Sequence, residues 1–305
     1  MLSIQQISSM SFLTLLLLSH STAPEFTWPH HKVDMVYDFI NHLEEEVYSE
    51  QVYLYHLNTN RVVYKKNEQQ RVPVASLTKI MTTLIAIEQL QAESLNKKMT
   101  VPEDIFPMII DRNLSVAGYS PNEEVEAIDL LYGTMLPSGA DASISLAIGL
   151  SGTEQEFIRL MNQKADQLNM VNTHFSNVTG MDQEHHYSTV EDMAILLKYA
   201  LNNPLFKDVF SSENYSTAST NLSNEGLFFQ SRMFHLLEQQ ELNENIEFIG
   251  GKTGFTNQAG LCLASYVIIN SSEEYLLITT GADGNTQTPP YHTNDAITIY
   301  NQLVY

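Results

Sequence analysis

Apolar residues recur along the chain with two periods. Over residues 34–49, Met35, Phe39, Ile40 and Leu43 fall at helical spacing with acidic residues between them, which predicts an amphipathic helix. Over 51–56 and 61–65 the pattern changes to alternating β-rich runs, and the intervening Asn58-Thr59-Asn60 suits a hairpin turn. A long middle then carries helical patterns over about residues 77–92, 127–136, 141–150, 153–168 and 189–201. Residues 248–255, 261–269 and 275–280 read as three more strands separated by Gly, Asn and Ser turns, and 295–303 as a closing helix. Strands at both ends with helices between them predict a mixed α/β unit whose first and last strands meet in one sheet, with an inserted helical lobe.

The N-terminus stands apart from this pattern. An apolar run, residues 12–18, is followed by Ser21, Thr22 and Ala23, which resembles the core and tail of an export signal. The basic lead-in is missing, since no Lys or Arg precedes Lys32, and Pro24 follows Ala23 directly. The run is too short for a spanning helix. The expected organisation is a signal-like or anchor segment over 1–28 and one domain over 29–305, on the extracytoplasmic side. Uncleaved, the segment would tether the domain to the outer face of the membrane; cleaved, it would release it. The chain ends soon after the closing helix, so any membrane attachment is expected from the N-terminal segment alone.

Composition removes several classes of function. With 305 residues, 15 Lys and Arg against 36 Asp and Glu, the formal charge is -21, and a nucleic acid would be repelled over most of the surface. The one cysteine, Cys262, sits in an apolar run and is expected as a small buried hydrophobe, so neither a disulfide within the chain nor a cysteine metal site arises. No H-E-x-x-H and no G-x-S-x-G occurs among the motifs, which argues against zinc hydrolysis and a Ser-His-Asp elbow. His174 and His186 are expected to be structural, and no metal or cofactor is expected.

The chemistry begins at Arg71-Val-Pro-Val-Ala-Ser76-Leu-Thr-Lys79, which leads into Ile80, Met81, Leu84 and Ile87, a helix with one apolar face. Pro73 keeps the chain extended just before it. Ser76 then falls in the first helical turn, where unpaired N–H groups favour developing negative charge, and Lys79 lies on the same face. A serine hydroxyl needs an adjacent base, and an amine serves if burial and a neighbouring cation depress its pKa. The same spacing recurs at Ser94-Leu95-Asn96-Lys97, but in a polar stretch that reads as surface. A second cation appears in Gly250-Gly251-Lys252-Thr253-Gly254-Phe255, where the glycines would permit close approach of another backbone and Lys252 and Thr253 would hold a carboxylate. A third polar element is Ser138 in Leu136-Pro-Ser-Gly-Ala-Asp-Ala-Ser143, placed to relay protons. The rivals Ser120-Pro121-Asn122 and Ser212-Glu213-Asn214 open no apolar helix and read as loops.

Ser76/Lys79, Ser138 and Lys252/Thr253/Gly254, in that order, resemble the motifs of low-molecular-mass penicillin-binding proteins, and more narrowly of serine-type D-Ala-D-Ala carboxypeptidases. Further support comes from Asp129-Leu-Leu-Tyr-Gly133, from Thr173-His-Phe-Ser-Asn177 with Gly180, and from His186-Tyr-Ser-Thr189 with Asp192. The resemblance covers about residues 48–285. It implies an antiparallel five-stranded sheet flanked by helices, the β-lactamase/transpeptidase-like fold. It also implies attack by Ser76 on the carbonyl between two D-alanines, proton transfer to Lys79, and an oxyanion hole from the N–H groups of Ser76 and Phe255. The implied partners are a peptidoglycan stem peptide ending in D-Ala-D-Ala and β-lactams as covalent inhibitors. One departure stands out: Ala140 occupies the position where the family usually has Asn. Two alternatives stay open, a class A-like β-lactamase, which would need a deacylating glutamate, and a sensor that binds D-Ala-D-Ala or penicillin without turnover.

Overall fold

The computed structural model describes residues 47–90 and 94–304. The signal-like segment, the boundary at residue 28 and the helix expected over 34–49 lie outside the described residues except at Val47–Ser49. Those three residues are not helical. Their backbone is turned instead to a buried carboxylate, with the N–H groups of Tyr48 and Ser49 donating to Asp295 at 3.0 and 2.8 Å.

Strands β1 (Gln51–His56) and β2 (Arg61–Lys66) form the expected hairpin. The later run forms β7 (Ile246–Thr256), β8 (Gly260–Ile269) and β9 (Glu273–Ala282). Together they make one five-stranded antiparallel sheet in the order β2-β1-β9-β8-β7, so the first and last strands meet, with Gln51 opposite Thr280. Two short pairs lie apart from it: β3 (Lys98–Thr100) with β4 (Glu124–Glu126), and β5 (Asn214–Ser216) with β6 (Phe228–Gln230).

The helices are α1 (Thr78–Gln89), α2 (Phe106–Asp111), α3 (Ala127–Met135), α4 (Ala140–Ser151), α5 (Glu154–Gln167), α6 (Val190–Ala200), α7 (Pro204–Ser211), α8 (Arg232–Leu237) and α9 (Tyr291–Asn301). All but α9 lie in the chain between β2 and β7 and form the inserted lobe. The short α2, α7 and α8, and the two small strand pairs, carry too few residues for a periodic signal and were not expected.

Both faces of the sheet are covered, which explains why β8 reads as a continuous apolar run. On one face Tyr53, Ala264, Tyr266, Leu276 and Ile278 join the core of the lobe, as does Cys262, the expected small buried hydrophobe. On the other, Ser265 pairs with Tyr300 of α9 through their hydroxyls at 2.9 Å, and Phe248 meets the Tyr300 ring edge-on. α9 begins a turn earlier than its expected start, after Pro289 and Pro290, because Asp295 serves inside it as the anchor for Tyr48 and Ser49 rather than at its start.

α1 corrects the sequence reading most. Every residue from Thr78 to Ile87 is buried, the polar Thr78, Lys79, Thr82 and Thr83 included, so this stretch of the helix has no exposed face. It runs through the lobe among α3, α4, α5, α6 and α7, and a helix enclosed on all sides needs no amphipathic stripe. Leu84, Ile85 and Ile87 each contribute about 1.5–3 kcal/mol of transfer free energy there. Its buried hydroxyls need partners, and Thr82 finds one in the Val178 carbonyl at 2.8 Å. Among the described residues no helix is long and apolar enough to cross a membrane.

Candidate active site

Ser76 lies in a 3-10 turn, Ala75–Leu77, directly before α1 rather than in its first α-helical turn. Ala75 holds a left-handed φ of 46°, costly for a residue with a side chain. Two glycines mould that turn. A β-carbon on Gly180 would lie 1.9 Å from the Ala75 carbonyl oxygen, and one on Gly254 would lie 3.0 Å from the Ser76 nitrogen. A side chain at Gly180 would force the Ser76 turn to shift, and one at Gly254 would require it to give by a few tenths of an ångström.

Lys79, one helical turn on, is buried. Its Nζ lies 3.3 Å from Ser76 Oγ and donates to the Thr179 carbonyl at 2.7 Å. Burial lowers its pKa to about 7, with help from the Arg232 charge and against the pull of Asp141. An amine of this kind is poised to accept a proton near neutral pH.

The turn that supplies Thr179 is tied to α1 at several points. Val178 accepts from Thr82, and His186 lies between the two segments, accepting at Nδ1 from Ser176 N–H at 3.0 Å and pairing at Nε2 with Thr78 Oγ1 at 2.8 Å. Because Nδ1 accepts, Nε2 carries the proton and donates to Thr78. Burial lowers the His186 pKa to about 4, which keeps the ring neutral in this role. His174 bonds the His185 carbonyl at 2.6 Å through Nδ1. Neither histidine is paired with a nucleophile.

Ser138 sits in a tight turn with φ 68°, buried, and its hydroxyl has no hydrogen-bond partner among the described residues. Ala140 starts α4 and is buried, presenting a methyl group where an amide would be polar. The next residue, Asp141, spends its carboxylate on the loop beside it, accepting from the N–H groups of Ala117, Gly118 and Tyr119 at 2.7 to 3.1 Å. That loop includes Ser115, whose carbonyl accepts from Ala140 N–H at 2.7 Å.

β7 is an edge strand of the sheet, and its C-terminal half runs past the Ser76 turn. Its glycines admit close neighbours, among them backbone atoms of Phe210 and Ser76. The room at Gly250 is taken by Phe210 of α7 and that at Gly251 by Met233 of α8, while Gly254 admits the Ser76 turn. At these three positions the close approaches come from the chain's own elements. Lys252 is fully enclosed, with Nζ donating to the Thr253 carbonyl at 2.9 Å. Burial, then the Lys79 and Arg232 charges, hold its pKa well below the ordinary lysine value.

These elements surround a cavity of about 920 Å³ whose wall includes Ser76, Lys79, Ser138, Thr253, Gly254 and Phe255. Lys252 is not on that wall; it stands behind it. Arg232 and Asp182 are on it and had no signal in the sequence. Arg232 opens a helix of six residues that it shares with His235 and four apolar residues, and no spacing links it to Ser76. Asp182 accepts from Thr256 Oγ1 at 2.6 Å, joining the Thr179 turn to the end of β7. The alternative serine-lysine pair lies elsewhere, with Lys97 exposed beside β3, as its polar surroundings predicted.

Residues 39–283 match the family model described as D-alanyl-D-alanine carboxypeptidase. The chain is 34% identical over 212 residues to the D-alanyl-D-alanine carboxypeptidase DacF of Bacillus subtilis, covering 68% of this chain and 51% of that protein. It is 30% identical over 240 residues to a D-alanyl-D-alanine endopeptidase of Pseudomonas aeruginosa, covering 77% of this chain and 72% of the relative. It thus spans about half the length of the DacF and DacC carboxypeptidases it matches. In structure it is similar to a Streptomyces DD-transpeptidase, with a TM-score of 0.72 and 26% identity over 84% of this chain and 97% of that one. By a family match that takes in both strand groups, the lobe between them and the Ser76 turn, the chain belongs to the D-alanyl-D-alanine carboxypeptidase family.

Proposed function

We propose that this protein is an extracytoplasmic serine peptidase that removes the terminal D-alanine from stem peptides ending in D-Ala-D-Ala. The observation that carries the reading is Lys79 Nζ, 3.3 Å from Ser76 Oγ in surroundings that lower its pKa to about 7. The peptide lies along the outer edge of β7, with its scissile carbonyl oxygen on the N–H groups of Ser76 and Phe255. Ser76 Oγ attacks that carbonyl as Lys79 takes its proton. Ser138, whose hydroxyl is otherwise without a partner, passes a proton to the nitrogen of the departing D-alanine, and water then cleaves the ester on Ser76. Thr253 and Arg232 hold the terminal carboxylate at the wall, and Lys252 adds positive charge from behind it. A β-lactam enters the same path and is trapped as an ester on Ser76. Residues 1–28 direct export, as a cleaved signal or a retained tether, and N-terminal sequencing of exported protein separates the two.

A class A-like β-lactamase would place a carboxylate to activate the deacylating water. Among the described residues no carboxylate hydrogen-bonds Ser76 or Lys79, and Asp182 at the cavity is engaged by Thr256. That favours slow release. Incubation with benzylpenicillin followed by intact-mass and peptide mapping should give a long-lived adduct on Ser76; rapid catalytic loss of penicillin with no adduct contradicts the proposal. Because one relative is an endopeptidase, the substrate panel should include a peptide whose second D-alanine is extended.

A further inference from the structure

Asn177 is buried and makes five hydrogen bonds within one turn. Its Oδ1 accepts from Thr179 N–H at 3.1 Å, Gly180 N–H at 2.7 Å and Thr179 Oγ1 at 3.2 Å. Its Nδ2 donates to the Met181 carbonyl at 3.0 Å and to Gln183 Oε1 at 3.1 Å. The turn so closed presents the Thr179 carbonyl to Lys79 at 2.7 Å, shorter than the 3.3 Å from Lys79 to Ser76. The carbonyl therefore decides where the amine rests. Gly180, in the same turn, abuts the Ala75 carbonyl and so touches the other half of the pair.

We propose that Asn177 is a positioning residue for the base: it fixes the Thr179 carbonyl that holds Lys79 against Ser76. The inference rests on the reading of Ser76 and Lys79 given above. A carbonyl acceptor stabilises an ammonium more than an amine, so losing it leaves Lys79 easier to deprotonate but no longer aimed. The other groups acting on Lys79 are Arg232 from α8, Lys252 from β7 and Asp141 from α4. Glu154 stands behind the turn, accepting from Val178 N–H at 3.2 Å, and His186 beside Thr78 is neutral.

The test is the rate of acylation by a fluorescent penicillin as a function of pH, for wild type, Asn177→Ala, Asn177→Asp and Gln183→Ala. Asn177→Ala should slow the plateau rate by about tenfold to a hundredfold, as misplacement of a catalytic group by about 1 Å does. Its acid limb should move to lower pH. Asn177→Asp keeps the accepting oxygen and adds an anion, so it should retain most of the plateau rate and move the acid limb to higher pH. Gln183→Ala should change neither. An acid limb that stays at the wild-type pH in both Asn177 variants overturns the proposal. So does a slower rate that disappears once corrected for the folded fraction measured by thermal melting. If Asn177→Ala fails to fold, the shift in Asn177→Asp decides alone. Wild type that is not acylated at Ser76 would sink the underlying reading and this one with it; wild type acylated normally, with unshifted Asn177 variants, sinks this one only.

Discussion

On the side of the cleft built by α1 and the Thr179 turn, the buried polar groups nearest Ser76 and Lys79 are paired, although the Thr83 hydroxyl further along α1 has no partner among the described residues. Lys79, Thr82, Asn177 and His186 all have short partners, and Gly180 and Gly254 press the Ser76 turn from two directions. The side built by the Ser138 turn is unfinished: a buried hydroxyl has no partner among the described residues, and Ala140 adds none. An unpaired buried hydroxyl costs about 1–3 kcal/mol. In the proposed mechanism the paired side holds Ser76 and Lys79 in place before substrate arrives, whereas the Ser138 hydroxyl would find its partners in substrate or water. Acylation should therefore depend most sharply on the first side and less sharply on the second, whose influence should extend to release of the acyl group.

Lys79→Ala breaks the comparison most severely. It should slow acylation by penicillin by about 10³-fold or more, read as the second-order rate of adduct formation. In wild type that rate should rise with pH through about 7, since Lys79 accepts a proton only when neutral and its pKa is lowered to about 7. Below that pH the neutral fraction falls about tenfold per unit. A rate flat between pH 5 and pH 8 would remove Lys79 from the role of base.

Gly180→Ala attacks the same side through packing. Its β-carbon would meet the Ala75 oxygen in a backbone with φ 88°, so the loss of stability should be about 2–5 kcal/mol by urea unfolding. A stable Gly180→Ala enzyme with normal acylation would show that the turn is not moulded this way. Ser138→Ala should instead stabilise the unliganded protein by about 1 kcal/mol while slowing acylation about a hundredfold. The opposite signs in one variant separate an unfinished site from an ordinary core hydroxyl. Smallest of all, Ala140→Asn should leave acylation within about threefold and change the lifetime of the penicilloyl adduct, because it adds a polar group only on the Ser138 side.

The sheet and the long helices were legible in the sequence because strand alternation and helical spacing are local. β1, β2, β8 and α3 to α6 lie within a few residues of where their patterns place them. α1 was legible as a helix but not as an enclosed one, since burial on every side depends on five neighbouring helices. In the site, Ser76, Lys79, Ser138 and Thr253, singled out by their motifs, line one cavity. The left-handed Ala75 and the partners of Gly250 and Gly251 were not legible, because nothing in those residue types specifies which segment will pack there. Arg232 joined the site through tertiary folding alone. Asn177 stood in a recognised motif, but its part in the turn shows only in its hydrogen bonds.

The most direct measurement is the release of free D-alanine from diacetyl-Lys-D-Ala-D-Ala by the purified protein, beside the Ser76→Ala variant at equal concentration. Wild type should release D-alanine continuously, and Ser76→Ala should release none while keeping the wild-type melting temperature. Equal release by both proteins would contradict Ser76 as the nucleophile. No release by wild type, with penicillin still labelling Ser76, would make the protein a binding sensor rather than a peptidase.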